Sequence, residues 1–102
     1  MATLLALEPL VEKLKGLTRK VILFGSAARG TNDARSDIDL FIETNEPGKV
    51  LELLTQRRGE LPRVQPVIRS TVEASALEEK DPIFFKEVQK GIILWERPID
   101  ES

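Results

Sequence analysis

A short apolar run, Val21-Ile22-Leu23-Phe24, stops abruptly at Gly25, and residues 37–43 (DIDLFIE) then alternate in polarity. No other feature restricts the fold as much. Four consecutive apolar residues suit a buried strand. The alternation puts Ile38, Leu40 and Ile42 on one face and Asp37, Asp39 and Phe41 on the other, as in a half-buried strand. Between the two strands there is room for only a turn or two of helix (SAARG, 26–30) and a polar loop (TNDARS, 31–36).

The flanking segments supply the rest of a small mixed domain. Leu4, Leu7, Val11 and Leu14 recur at helical spacing, which predicts an amphipathic helix with Pro9 in its first turn and Gly16 near its end. Val50, Leu51, Leu53 and Leu54 follow the turn NEPGK and predict a second long helix, closed near Arg57-Arg58-Gly59. Residues 63–69 (RVQPVIR) read as extended, with Pro66 confining them to a sheet edge or a bulge. Asp81-Pro82 is an N-cap followed by a first-turn proline, opening a helix that Gly91 terminates. Ile92 to Trp95 forms a last strand. The fold expected is α+β, one sheet of about four strands covered by three to four helices, in a single domain over residues 1–102.

Composition excludes several chemistries. The 102 residues contain no His, no Cys and no Tyr. A zinc site of the His/Cys kind, thiol redox work and Ser-His or Cys-His nucleophiles are therefore absent. Carboxylates, hydroxyls, Lys, Arg, backbone N–H groups and an oxygen-held metal ion remain. The formal net charge of −2 argues against a dedicated nucleic-acid binder, whose footprint is basic. No apolar run approaches the roughly 18 residues of a membrane span. The start, MATLLALEPLVEK, has neither the basic region of a signal peptide nor the composition of a transit peptide, so a cytoplasmic location is expected.

The chemistry concentrates in Phe24 to Leu40, FGSAARGTNDARSDIDL. Here a strand ends in Gly25-Ser26 and feeds a helix start, where glycine permits close backbone approach and the first N–H groups carry partial positive charge. That geometry suits phosphate. Asp37 and Asp39, two apart on a strand, project from one face roughly 6–7 Å apart. Adjacent carboxylates repel unless a proton or cation intervenes, and Mg²⁺ is the natural cation because it completes its shell with water and phosphate oxygens. Taken singly, Gly25-Ser26 is usually just a capped turn and an Asp-x-Asp pair usually a solvated strand edge, while Arg29 also reads as a helix-closing residue. Separated by one loop, they describe a nucleoside-triphosphate site. Other phosphate motifs fail: Gly25-x4-Gly30-Thr31 lacks the P-loop lysine, no G-x-G-x-x-G occurs, and Ser26 lacks a nucleophile-elbow context.

At these residues the chain resembles the DNA polymerase β-like nucleotidyltransferase superfamily, and within it the minimal nucleotidyltransferases that pair with HEPN proteins in prokaryotic toxin–antitoxin modules. The family signature is Gly-Ser, ten residues, then Asp-x-Asp. It stands here as Gly25-Ser26 and Asp37-Ile38-Asp39, with Arg29-Gly30 and Ser36 matching as well. The resemblance implies a palm-like fold and transfer of AMP from ATP to a hydroxyl. It assigns Mg²⁺ to Asp37 and Asp39, and the outer phosphates to Gly25 and Ser26, with Arg29 either neutralising phosphate or fixing the loop. One departure stands out. The family places a third carboxylate on the next strand, and the corresponding residue here is Gln65, followed by Pro66. A neutral amide ligates weakly and accepts no proton. Larger members add domains that hold the base or acceptor, so the expected acceptor is a HEPN-type partner protein, with self-association left open.

Three readings follow. One is a Mg²⁺-dependent adenylyltransferase acting as an antitoxin. Another is a nucleotide-binding module, catalytically impaired at Gln65, that neutralises its partner by complex formation. The third is transfer to a small molecule or an RNA end. Phe84, Phe85 and Trp95 are candidates for a partner interface, with the core the expected place for each, and Gln56 to Glu60 and Glu78 to Lys80 are expected on the solvated surface.

Overall fold

A computed structural model of the chain describes residues 2–25, 38–56 and 64–98, with the backbone alone for residues 2–7. Its strands are β1 (Lys20–Phe24), β2 (Ile38–Glu43), β3 (Val64–Arg69) and β4 (Ile92–Glu96), and its helices are α1 (Ala2–Leu14), α2 (Pro47–Gln56), α3 (Thr71–Lys80) and α4 (Pro82–Gln89). The strands form one sheet in the order β3-β2-β1-β4. β1 pairs antiparallel with both β2 and β4, whereas β2 and β3 are parallel, joined through α2. The α+β fold with four strands is thus the one the sequence predicts. β3 is an edge strand, and there Pro66 is tolerated because one side of the strand has no ladder partner.

The sheet is covered on both faces. Leu10, Val11 and Leu14 of α1 and Val50 of α2 pack with Val21, Leu23, Ile38, Leu40 and Ile42. On the opposite face Ile22, Phe24 and Phe41 meet Val88 of α4, with Val67, Ala74, Leu77 and Phe84 around them. The half-buried strand expected over 37–43 is therefore corrected: Phe41 is 3% exposed, because α3 and α4 shield the face on which it lies.

One helix expectation changes, and one helix, α3, is additional to those the sequence predicts. α1 begins at Ala2, so Pro9 lies inside the helix rather than in its first turn. The missing N–H costs one intrahelical bond, and burial of Leu10, Val11 and Leu14 immediately after it keeps the segment helical. The helix α3 carries almost no apolar stripe, touching the sheet side only through residues such as Ala74 and Leu77. Its signal is instead a capping box. Ser70 Oγ accepts from the Glu73 N–H at 3.1 Å, and Glu73 Oε1 accepts from the Ser70 N–H at 2.9 Å. As predicted, Asp81 caps α4: its Oδ1 accepts from the Phe84 N–H at 3.2 Å while Pro82 begins the helix.

Gly91 allows α4 to turn directly into β4. A Cβ at this position would overlap Leu23 O and stand 2.8 Å from Ile22 Cγ2 and 3.0 Å from Val88 O. The far end of the sheet is closed by buried threonines. Thr18 Oγ1 donates to Leu14 O at 2.7 Å, and Thr44 Oγ1 donates to Leu17 O and accepts from the Glu46 N–H. Trp95, half-buried against the α1 side of the core, donates from Nε1 to Thr18 O at 3.3 Å.

Candidate active site

Three strand ends converge beside Gly25. Antiparallel register places Phe24, the last residue of β1, opposite Asp39, and parallel register places Gln65 of β3 on the other side of Asp39. Alternation along β2 and β3 puts Asp39 and Gln65 on the same face as Phe41 and Val67, the face that α3 and α4 cover. Asp39 is half-buried and Gln65 exposed. The residue that the resemblance matches to the third carboxylate is thus the lateral neighbour of Asp39.

Gly25 has φ +75°, the only positive φ among the described residues. Its open side faces the Asp39 carboxylate. A Cβ built there would overlap Oδ2 and lie 3.3 Å from Cγ and 3.6 Å from Cβ of Asp39. Among the sequence-predicted site residues, the structure therefore brings together Gly25, Asp39 and Gln65. Ser26, Arg29 and Asp37 lie outside the described residues. Those described contain no group of three or more metal-binding side chains.

Beside this end of the sheet, Phe84 packs onto the core, in line with the core reading of this residue rather than the partner-interface one. Phe84 meets Phe24 edge to face with ring centroids 5.4 Å apart, and tilts toward Phe41 at 6.3 Å. α3 folds back from the Arg69 end of β3, and its ten residues rise about 15 Å, close to the length of the strand. A sequence signal for this placement existed in Ser70-x-x-Glu73, which starts a helix directly after β3.

At the opposite end of the same face lies a groove of about 450 Å³, bounded by Lys20, Ile22, Phe41, Glu43, Phe85 and Ile93 among others. Asp39 is four residues before Glu43 on β2, roughly 13 Å away along an extended strand. Phe41 lies between them. The charges at this end are already engaged, with Glu43 Oε2 3.6 Å from Arg19 Nε and Lys20 Nζ 3.2 Å from Glu96 Oε2. The groove is thus separate from the Gly25–Asp39 end, where the sequence places the chemistry.

A profile of the nucleotidyltransferase domain matches residues 6–99. The chain belongs to this family. Its fold is also similar to the crystal structure of a candidate nucleotidyltransferase from Sulfolobus solfataricus, with a TM-score of 0.58 at 19% identity over 94% of this chain and 82% of the other. At that identity the likeness concerns the fold. No curated protein matches the sequence significantly. The nucleotidyltransferase domain thus spans β1, the Gly25 turn, the Asp39 strand and everything through β4. Among the described residues, no helix is long and apolar enough to cross a membrane.

Proposed function

We propose that this nucleotidyltransferase domain transfers AMP from ATP to a hydroxyl of a partner protein of the HEPN type, and so serves as the antitoxin of a toxin–antitoxin pair in the cytoplasm. The observation that carries the transferase reading is the seating of Asp39 against Gly25 in a chain of this family. The HEPN partner and the antitoxin role rest on the resemblance of Gly25-Ser26 and Asp37-Ile38-Asp39 to the minimal nucleotidyltransferases.

The residues present suit a hard divalent cation. Asp39 offers carboxylate oxygens at a position kept clear by the missing side chain of Gly25, and Asp37 adds a second carboxylate from the sequence. These two would hold Mg²⁺, which when bound supplies charge neutralisation at the triphosphate. Gly25 and Ser26 would hold the outer phosphates through backbone N–H and hydroxyl donors, with Arg29 opposing phosphate charge. In the transfer, the acceptor oxygen forms a bond to the α-phosphorus, the bond to pyrophosphate breaks and pyrophosphate departs, and the hydroxyl proton passes to water. Gln65, adjacent to Asp39, cannot take that proton.

This last point favours a second reading, in which the nucleotide pocket is kept and the partner is neutralised by complex formation without turnover. Mass spectrometry of the co-purified partner after incubation with Mg²⁺ and ATP separates the two. An AMP adduct on the partner, lost in Asp37→Asn and Asp39→Asn, supports transfer. A tight complex that never acquires an adduct supports the binding module. Any modified tyrosine must belong to the partner, since this chain contains none.

A further inference from the structure

We infer that Gly25 is a positioning residue for the Asp39 carboxylate, a role separate from contact with phosphate. The inference rests on the nucleotidyl-transfer reading of the site. Two independent features of Gly25 support it. Its φ of +75° is a conformation that L side chains rarely adopt, so glycine shapes the turn out of β1. Separately, the direction an L-Cβ would take from this backbone is the direction occupied by Asp39 Oδ2. The first feature concerns the chain path. The second concerns the carboxylate alone, because the atoms closest to the imagined methyl all belong to Asp39.

The consequence is mechanical. Asp39 is fixed laterally by strand pairing, opposite Phe24 on one side and beside Gln65 on the other. Within that frame the Cα of Gly25 forms a close wall against which the carboxylate rests. A methyl group in its place would push the carboxylate aside or force the backbone of the turn outward. Sites of this kind tolerate displacements of only about 0.5 Å, and a shift of about 1 Å costs on the order of 100-fold in rate. Gly25 therefore sets where Asp39 presents its oxygens to a cation.

The configuration of the added methyl separates the two features. D-alanine favours positive φ and carries its methyl along the other Cα substituent direction, so Gly25→D-Ala retains the turn and spares Oδ2. The chain contains no cysteine, so it can be assembled by ligation at Ala28 followed by desulfurisation without touching another thiol. Mn²⁺ binding followed by electron paramagnetic resonance reads the carboxylate, inorganic tripolyphosphate binding followed by calorimetry reads the phosphate cradle, and a thermal melt checks the fold.

The expected result is at least a tenfold loss of Mn²⁺ affinity in Gly25→Ala, recovered to within threefold of wild type in Gly25→D-Ala. Equal loss in both variants, or wild-type Mn²⁺ affinity in Gly25→Ala, overturns the role. A wild-type chain that binds neither Mn²⁺ nor tripolyphosphate overturns the nucleotidyl-transfer reading and this role with it. Wild-type binding of both probes, with Mn²⁺ affinity indifferent to Gly25→Ala, leaves that reading standing and defeats the positioning role alone.

Discussion

Asp39 and Gln65 are register partners across the parallel pair of β2 and β3, so the one amide position on β3 level with the Asp39 carboxylate is Gln65. Gln65→Asp would create two neighbouring carboxylates, since adjacent strands are about 4.8 Å apart. Without a cation their repulsion is expected to lower stability by roughly 0.5 kcal/mol, or about 2–4 °C in Tm for a domain of this size. Added Mg²⁺ or Mn²⁺ should reverse that loss, and the variant should acquire or increase transfer of AMP to the partner. Paired melts with and without the cation, alongside adduct mass spectrometry, measure both effects. A Gln65→Asp chain whose melt and transfer rate both equal those of wild type would show that position 65 is not part of the site.

Gly91 and Gly48 predict opposite responses to the same substitution. At Gly91 the new methyl meets Leu23 O, Ile22 and Val88 O, all fixed by the α4–β4 turn and the sheet. Gly91→Ala should destabilise by about 1–3 kcal/mol through overpacking. At Gly48, in the first turn of α2, nothing lies within 4 Å of the added carbon and φ is not positive. Gly48→Ala should stabilise by about 0.5 kcal/mol by restricting the unfolded chain. Urea unfolding of the two single variants tests the contrast, and a shared sign would refute it.

The elements that sequence reading identified are those whose pattern is local. Val21 to Phe24, the alternation after Asp37 and the Asp81-Pro82 cap each carry their signal within a few residues, and all three stand as β1, β2 and α4. Pro66 announced an edge strand because a missing N–H is a local fact with a lateral consequence. Burial of Phe41 was not legible, because it depends on α3, whose sequence TVEASALEEK shows no apolar stripe. The Gly25–Asp39 contact was half legible. The spacing suggested one site, but only the antiparallel register of β1 with β2 shows that the glycine rests on the carboxylate itself.

Phe84 ties the α4 side of the core to the last residue of β1. Its ring meets Phe24 edge to face at 5.4 Å and also approaches Phe41. Phe84→Ala removes those contacts from a half-buried position and should cost about 2–3 kcal/mol, less than the 3–5 kcal/mol of a fully buried phenylalanine. Ile83, next to it on α4, is 80% exposed, and Ile83→Ala should change stability by less than about 0.5 kcal/mol. Equilibrium denaturation distinguishes them. Phe84→Ala should also weaken Mn²⁺ binding more than Ile83→Ala, because Phe24 directly precedes the turn that carries Gly25.

The start of α3 gives the fold a small acid-sensitive element. The Glu73 carboxyl is held below its ordinary value chiefly by the hydrogen bond from the Ser70 backbone N–H, which outweighs the opposing effect of desolvation, with lesser lowering from the Ser70 side chain and the cations Arg69 and Lys80. A depressed folded-state pKa means that the contribution is present above the unfolded pKa, near 4.5, and is lost as pH falls through the lower folded value. Glu73→Gln keeps an acceptor for the Ser70 N–H but removes the titration, so its stability should fall less steeply than wild type below pH 4.5. Ser70→Ala removes the other half of the box and should cost about 1 kcal/mol at neutral pH. Urea midpoints measured for the three proteins between neutral and acid pH decide the matter. Identical acid limbs for wild type and Glu73→Gln would show that the bond does not couple to folding.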